Sequence, residues 1–134
     1  MTPSQVIGYA LNQTSAVTNI CSTRIYNGRR PDTTVAPCIN YYELPGGQRI
    51  NGFDRIVYSI NCRAATAETA LTLARKVDEL FNGTSGNGTY SDWNGFGITR
   101  ASTRQRQGLI PEPDSGLYNA PIDIFIVCSS SAIS

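Results

Sequence analysis

Between Phe53 and Ala64 the chain alternates, with Ile56, Tyr58, Ile60 and Cys62 on one side and Arg55, Val57, Ser59, Asn61 and Arg63 on the other. A period of two belongs to a β-strand. FDRIVYSINCRA therefore reads as a strand with one buried face and one largely wet face, as an antiparallel sheet allows. The period then changes. In TAETALTLARKVDELFNG, Ala70, Leu73, Ala74, Val77, Leu80 and Phe81 recur at helical spacing and form an apolar stripe. Thr66 is placed to cap this helix, Glu68 lies in the first turn where the dipole favours negative charge, and Gly83 stands just past the end.

The other elements follow from weaker patterns. TPSQVIGYALNQTSAVTNIC reads as an opening helix, capped by Thr2 or Ser4, with Pro3 in the first turn and Val6, Ile7, Ala10 and Leu11 on one face. Gly8 and the polar NQTS argue for a short one. TRIY is a brief strand, and NGRRPDTTVAP is a turn-rich connection opened by Asn27-Gly28. PCINYYEL reads as a strand that Pro45-Gly46-Gly47 ends. GTSGNGTYSDWNG is a polar loop whose one large apolar residue is Trp93. FGITRASTRQRQG and LYNAPIDIFIVC supply two further strands, with Pro121 marking an edge or a bulge because it cannot donate to a ladder. The tail SSSAIS, residues 129–134, reads as frayed.

That order fits one α+β domain over residues 1–134. A single mostly antiparallel, mixed sheet of about four to five strands would be covered on one face by two helices. Ile56, Tyr58, Ile60, Leu73, Val77, Leu80, Ile124 and Ile126 are expected to pack together in its core.

Composition narrows the function classes. The 134 residues are 40% apolar and 16% charged with a formal charge of +1, which suits a globular domain and argues against a strongly electrostatic partner such as duplex DNA. Ten arginines stand against a single lysine, Lys76. Arginine is suited to interfaces, although a nucleotide bias in the genome produces the same skew. Cys21, Cys38, Cys62 and Cys128 form no CxxC pair, and no histidine is present to complete a mixed zinc site. They read as buried free thiols. MTPSQVIGYALNQ lacks the basic start and long apolar run of a secretory signal, and no segment approaches the ~20 apolar residues of a membrane helix. The expected setting is a reducing cytoplasm.

Without histidine, Ser-His-Asp and Cys-His chemistry is excluded. Asp92 beside Trp93, or Glu112 and Asp114 in IPEPDSG, could form a carboxylate site, but these are the residue types that turns demand. GTSGNG lacks the GK[ST] of a phosphate loop and follows a helix instead of preceding one. Arg100, Arg104 and Arg106 in TRASTRQRQ would place a basic stripe on one strand face. That stripe could meet nucleic acid or an acidic partner, or be a solvated sheet face with local ion pairs. The aromatic interleaving of single-strand binders is missing around it.

RIYNGRRPDTTVAPCINYY, residues 24–42, gathers arginine, tyrosine and proline without any site chemistry, and reads as a surface for protein contacts. An opening helix runs into TNICSTRIYNGRRP, followed by PCINYY, then INCRAATAETALTLARKVDELF, then RQRQGLIPEPDSGLYNAPIDIFIV. This succession, with its Arg-Ile-Tyr, its proline before the second strand and its strand-helix hinge, resembles the tail-completion proteins of tailed bacteriophages. These are the small tail-terminator and head–tail joining proteins, and the resemblance spans nearly the whole chain. It implies a virion protein of the tail or neck, assembled in the host cytoplasm. Subunits of this kind form a homo-oligomeric ring, commonly of six, that caps the tail tube, stops its polymerisation and meets the connector of the head. The tail tube protein and the head-completion protein are then the partners, with DNA in transit as a further contact and no membrane. The resemblance brings no catalytic residue and no cofactor. It makes Arg24, Tyr26, Arg29, Arg30, Tyr41, Tyr42 and Trp93 candidate interface residues and leaves Arg100, Arg104 and Arg106 as a candidate basic face. The rival classes are a single-stranded nucleic-acid binder and a carboxylate-dependent enzyme.

Overall fold

Phe53–Ala64, the strand read from alternation, lies inside a six-stranded mixed sheet. The computed structural model describes residues 3–28, 35–50, 53–81, 98–106, 108–113 and 115–129. In chain order the elements are α1 (Pro3–Gln13), α2 (Ser15–Cys21), β1 (Ile25–Asn27), β2 (Cys38–Ile50), β3 (Phe53–Ala64), α3 (Ala67–Phe81), β4 (Ile98–Arg106), β5 (Ile110–Glu112) and β6 (Leu117–Ser129). The sheet order is β1-β2-β3-β6-β4, with β5 also pairing β6. Among the described residues β1 pairs β2 in parallel and the other strand pairs are antiparallel. One transverse row runs Ile25, Ile39, Cys62, Ala120, from the β1 edge to the strand that β4 and β5 flank.

The helices pack on the face that carries Ile39, Tyr41, Tyr58, Ile60, Cys62, Ile122, Ile124 and Ile126, and with them enclose one hydrophobic core. α1 contributes Val6, Ile7, Ala10 and Leu11, the stripe its sequence predicts, and α3 contributes Ala70, Leu73, Ala74, Val77 and Phe81. Ile56 and Leu80 pack against this core while only partly buried. The Thr66 hydroxyl accepts the Thr69 amide at 3.2 Å, the expected cap of α3. Gly8 has a packing reason. A Cβ there would collide with the hydroxyl of buried Tyr41, so glycine lets α1 lie close on the sheet. Ser4 Oγ and the Tyr58 hydroxyl share a hydrogen bond of 3.0 Å beside it.

Four features differ from the sequence reading. The opening helix is two helices, because Thr14 is extended (φ −97°, ψ 107°) between α1 and α2. Its hydroxyl donates to the Ala10 carbonyl at 2.8 Å while its own carbonyl accepts the amides of Val17 and Thr18, so side-chain and backbone bonds replace helical continuity. β2 continues through Pro45-Gly46-Gly47 and resumes pairing at Gln48, with the register slipping between Leu44 and Gln48. Gly46 takes φ +106°, which glycine alone adopts freely, so the turn residues make a bulge where an end was expected. Pro121 is at neither edge, since β6 lies between β3 and β4. It falls where β4 pairing has stopped at Ile122 and β5 pairing begins at Asn119, an interruption that tolerates its missing donor. Ser129, read as frayed, pairs with Phe53.

Cys21, Cys38 and Cys62 are free and buried, as their context implies; the side chain of Cys128 lies outside the described residues. Burial pushes the Cys21 thiol up from the ordinary 9.0 to about 11, and raises the Cys62 thiol and the Tyr41 hydroxyl too. A group held neutral by folding ionises first in the unfolded chain, so its stabilisation is whole below the ordinary pKa and disappears as pH rises through the folded one. The urea midpoint is therefore expected to hold up to pH 9.0 and fall towards pH 11, and Cys21→Ala to flatten that fall. A midpoint constant over this window would contradict the burial of these groups.

Candidate interaction surface

The sheet face opposite the helices was expected to be wet, yet Val57, Ser59 and Asn61 on β3 are 3–5% exposed. Asn40 on β2 and Asn119 and Asp123 on β6 are buried there as well. Strand pleating puts these residues on the side away from the apolar core, and buried polar groups need partners. Two hydrogen-bonded chains supply partners for Asn40, Ser59, Asn61 and the Nδ2 of Asn119. Arg63 Nε donates to Glu112 Oε1 at 3.0 Å on β5, and its Nη1 donates to Asn40 Oδ1. Asn40 Nδ2 in turn donates to the Gly28 carbonyl at 3.0 Å. In the second chain Asn119 Nδ2 donates to Asn61 Oδ1 at 3.0 Å, and Asn61 Nδ2 reaches Ser59 Oγ at 3.4 Å. Further along the same face the Arg55 guanidinium lies 4.3 Å from the centre of the Phe125 ring, a cation–π contact.

These bonds fix the ends of the connection that carries Arg29 and Arg30. Gly28, at φ +90°, donates its amide to the Tyr41 carbonyl at 2.7 Å and gives its own carbonyl to Asn40. At the far end Arg24 Nε donates to the Pro37 carbonyl at 2.8 Å, next to the cis Ala36–Pro37 peptide. Arg24 is thus a clamp on the loop's base. β1, β2 and the Arg63 chain form an anchored frame at both ends of that connection.

The candidate residues separate accordingly. Tyr26 is half-buried and Tyr42 is exposed, both on the sheet face that Asn40 occupies. Tyr41 points into the helix-side core at 5% exposure and leaves the contact set; one residue of strand separates it from Tyr42 and sends it to the other face. Arg29, Arg30 and Trp93 lie outside the described residues, as do the carboxylate candidates Asp92 and Asp114. For Arg100, Arg104 and Arg106 only the backbone of β4 is described. Its register sets Arg100 opposite Val127 and Arg106 opposite Ile122, and slips between Thr103 and Gln105 around Arg104. Glu112 is not merely a turn residue but the ion-pair partner of Arg63.

The residues that sequence reasoning missed are Asn40, Asn61, Arg63 and Asn119. Their signal was present: single asparagines interrupt the apolar runs PCINYY, YSINC and LYNAP. Among the described residues no group of three or more His, Cys, Asp or Glu could hold a metal ion, and no helix is long and apolar enough to cross a membrane. What the arrangement offers is a braced β-sheet face with tyrosine, arginine and amide groups, on which Arg63 is paired with Glu112.

No family model and no curated protein matches the chain. Among solved structures, a chain of the virion of a native gene transfer agent particle superposes on it with a TM-score of 0.72 at 10% sequence identity. The match covers 96% of this chain and 95% of that one, so the two share one fold from end to end.

Proposed function

We propose that this chain is a structural virion protein that completes a phage-like tail, capping the tail tube as a ring and offering the surface on which head and tail join. The observation that carries this reading is the end-to-end fold shared with a chain of a gene transfer agent virion, with almost nothing left over on either side. The anchored loop supports it from within. Arg24, Asn40 and Gly28 hold its base against the sheet. Rigid presentation lowers the ordering cost of docking.

The test is genetic. Deleting the gene from its phage is expected to yield overlong tails and few finished particles, and the parent gene to restore both. Arg29→Glu combined with Arg30→Glu is expected to keep the circular dichroism and unfolding midpoint of the parent while lowering particle yield at least ~tenfold, since reversed charges at an interface repel. Finished particles with normal tails in the deletion strain would overturn the reading.

A further inference from the structure

Charged residues make up 16% of the chain, yet no charged side chain stands before Arg24. α1 and α2 occupy most of that stretch, so their solvent side is built without one. On α1, Gln5, Tyr9, Asn12 and Gln13 are exposed at helical spacing, opposite the buried Val6, Ile7, Ala10 and Leu11. α2 adds exposed Ser15, Ala16 and Asn19 over its buried Val17 and Cys21. α3 is the contrast within the same molecule. It covers the same sheet face, and its outer side shows Glu68, Arg75 and Glu79 to solvent.

A surface kept in water is well served by charge at roughly 25–35% of its positions. Interface cores are the opposite: acids and lysine are depleted there and tyrosine is enriched. The outer side of α1 and α2 has that second composition, with Tyr9, 37% exposed, as an aromatic anchor. The same lack of charge selects the partner. A charged residue buried against this side would lose its water and meet no opposite charge, so the fitting surface is itself uncharged. A second copy is a poor source of one. Among the described residues the outer side of α3 is charged, and the β2 strand exposes Glu43 and Arg49. A copy would have to answer with its own α1 and α2, a like-to-like contact that needs a two-fold axis, whereas ring neighbours are related head to tail.

We infer that the outer side of α1 and α2 docks on an uncharged surface of a different virion protein. The inference rests on the ring reading above and adds a face to it. Gln13→Lys combined with Asn19→Lys puts positive charge on this side near the C-terminal ends of α1 and α2, which the helix dipoles favour. Glu79→Lys makes the same change in net charge on the outer side of α3. Gln13→Met combined with Asn19→Met gives long side chains without charge. Circular dichroism and the unfolding midpoint check each variant, and each gene is supplied to the deletion phage. If the lysine pair does not fold, Gln13→Lys alone carries the same test. The lysine pair is expected to lower the yield of finished particles at least ~tenfold, while the methionine pair and Glu79→Lys keep it. Normal yield from the lysine pair, or an equal loss from either control, would overturn the inference. Sedimentation compares the purified parent and lysine pair, which are expected to share one association state. Self-association of the parent that the lysine pair loses would assign the face to a second copy and overturn it too. Finished particles with no gene supplied reject the virion reading itself, whereas finished particles that need a gene and accept the lysine pair reject this face alone.

Discussion

Leu73→Ala and Ile60→Ala are each expected to lower the unfolding free energy by ~2–5 kcal/mol, the range for large-to-small changes at closed core sites. Both side chains are fully buried in one hydrophobic cluster, Leu73 on α3 and Ile60 on β3. Each truncation loses transfer free energy and leaves a void between helix and sheet that neither layer can close without moving. Exposed Glu79 on the outer side of α3 provides the contrast, and Glu79→Ala is expected to stay within ~0.5 kcal/mol. Urea denaturation at neutral pH measures all three. Midpoints for Leu73→Ala and Ile60→Ala close to the parent would refute the packing of α3 on the sheet.

Arg63→Met is expected to cost ~1.5–3 kcal/mol, the scale for hydrogen bonds to a charged group, although it keeps most of the aliphatic stem. It strips donors from Glu112 and from Asn40, which is 7% exposed. Glu112→Gln removes the charge while keeping an acceptor, and is expected to cost less. Because the residues act in one chain of bonds, the double variant should fall short of the sum of the singles. Hydrogen exchange offers a local readout: the Gly28 amide, bonded to the Tyr41 carbonyl beside Asn40, should exchange faster in Arg63→Met. Additive costs with an unchanged Gly28 amide would mean that the Arg63 chain does not brace the loop.

The two clearest periodicities in the sequence became β3 and α3 with their buried sides correct, because burial on one face is what creates a period. The second face of β3 was misread for a related reason. Alternation tells which residues point away from the apolar core, and it carries no information on whether something flanks or bonds them there. Ser59 and Asn61 look like solvent-facing residues until Asn119 arrives from β6, far along the chain. The break at Thr14 was half visible in the polar NQTS, but a two-helix opening needs the tertiary packing of Val17 and Cys21 to select it. Pro45-Gly46-Gly47 is a stop signal by local chemistry, and long-range pairing with β3 overrides it. In the candidate surface, Tyr42 and Tyr41 differ by a single position, so only the register separates an exposed ring from a core one. Arg24 and Asn40 could not be read as anchors of the connection after β1, since their partners lie 13 and 12 residues away along the chain.

The place of β6 in the sheet has a consequence for how the chain acquires its shape during synthesis. β6 is the shared partner of β3, β4 and β5, yet it is made after all of them. Until Leu117–Ser129 has emerged from the ribosome, β2 and β3 can close only as a hairpin, and α3 can cover only part of the face that it will finally bury. Ile60 and Tyr58 then line an open strand edge, the kind of surface that attracts other chains. Insertion of β6 zips both halves of the sheet at once, so the nascent protein passes from a partial structure to the whole fold in one late step. A nascent chain halted before residue 117 would therefore depend on chaperones in a way that the finished subunit does not.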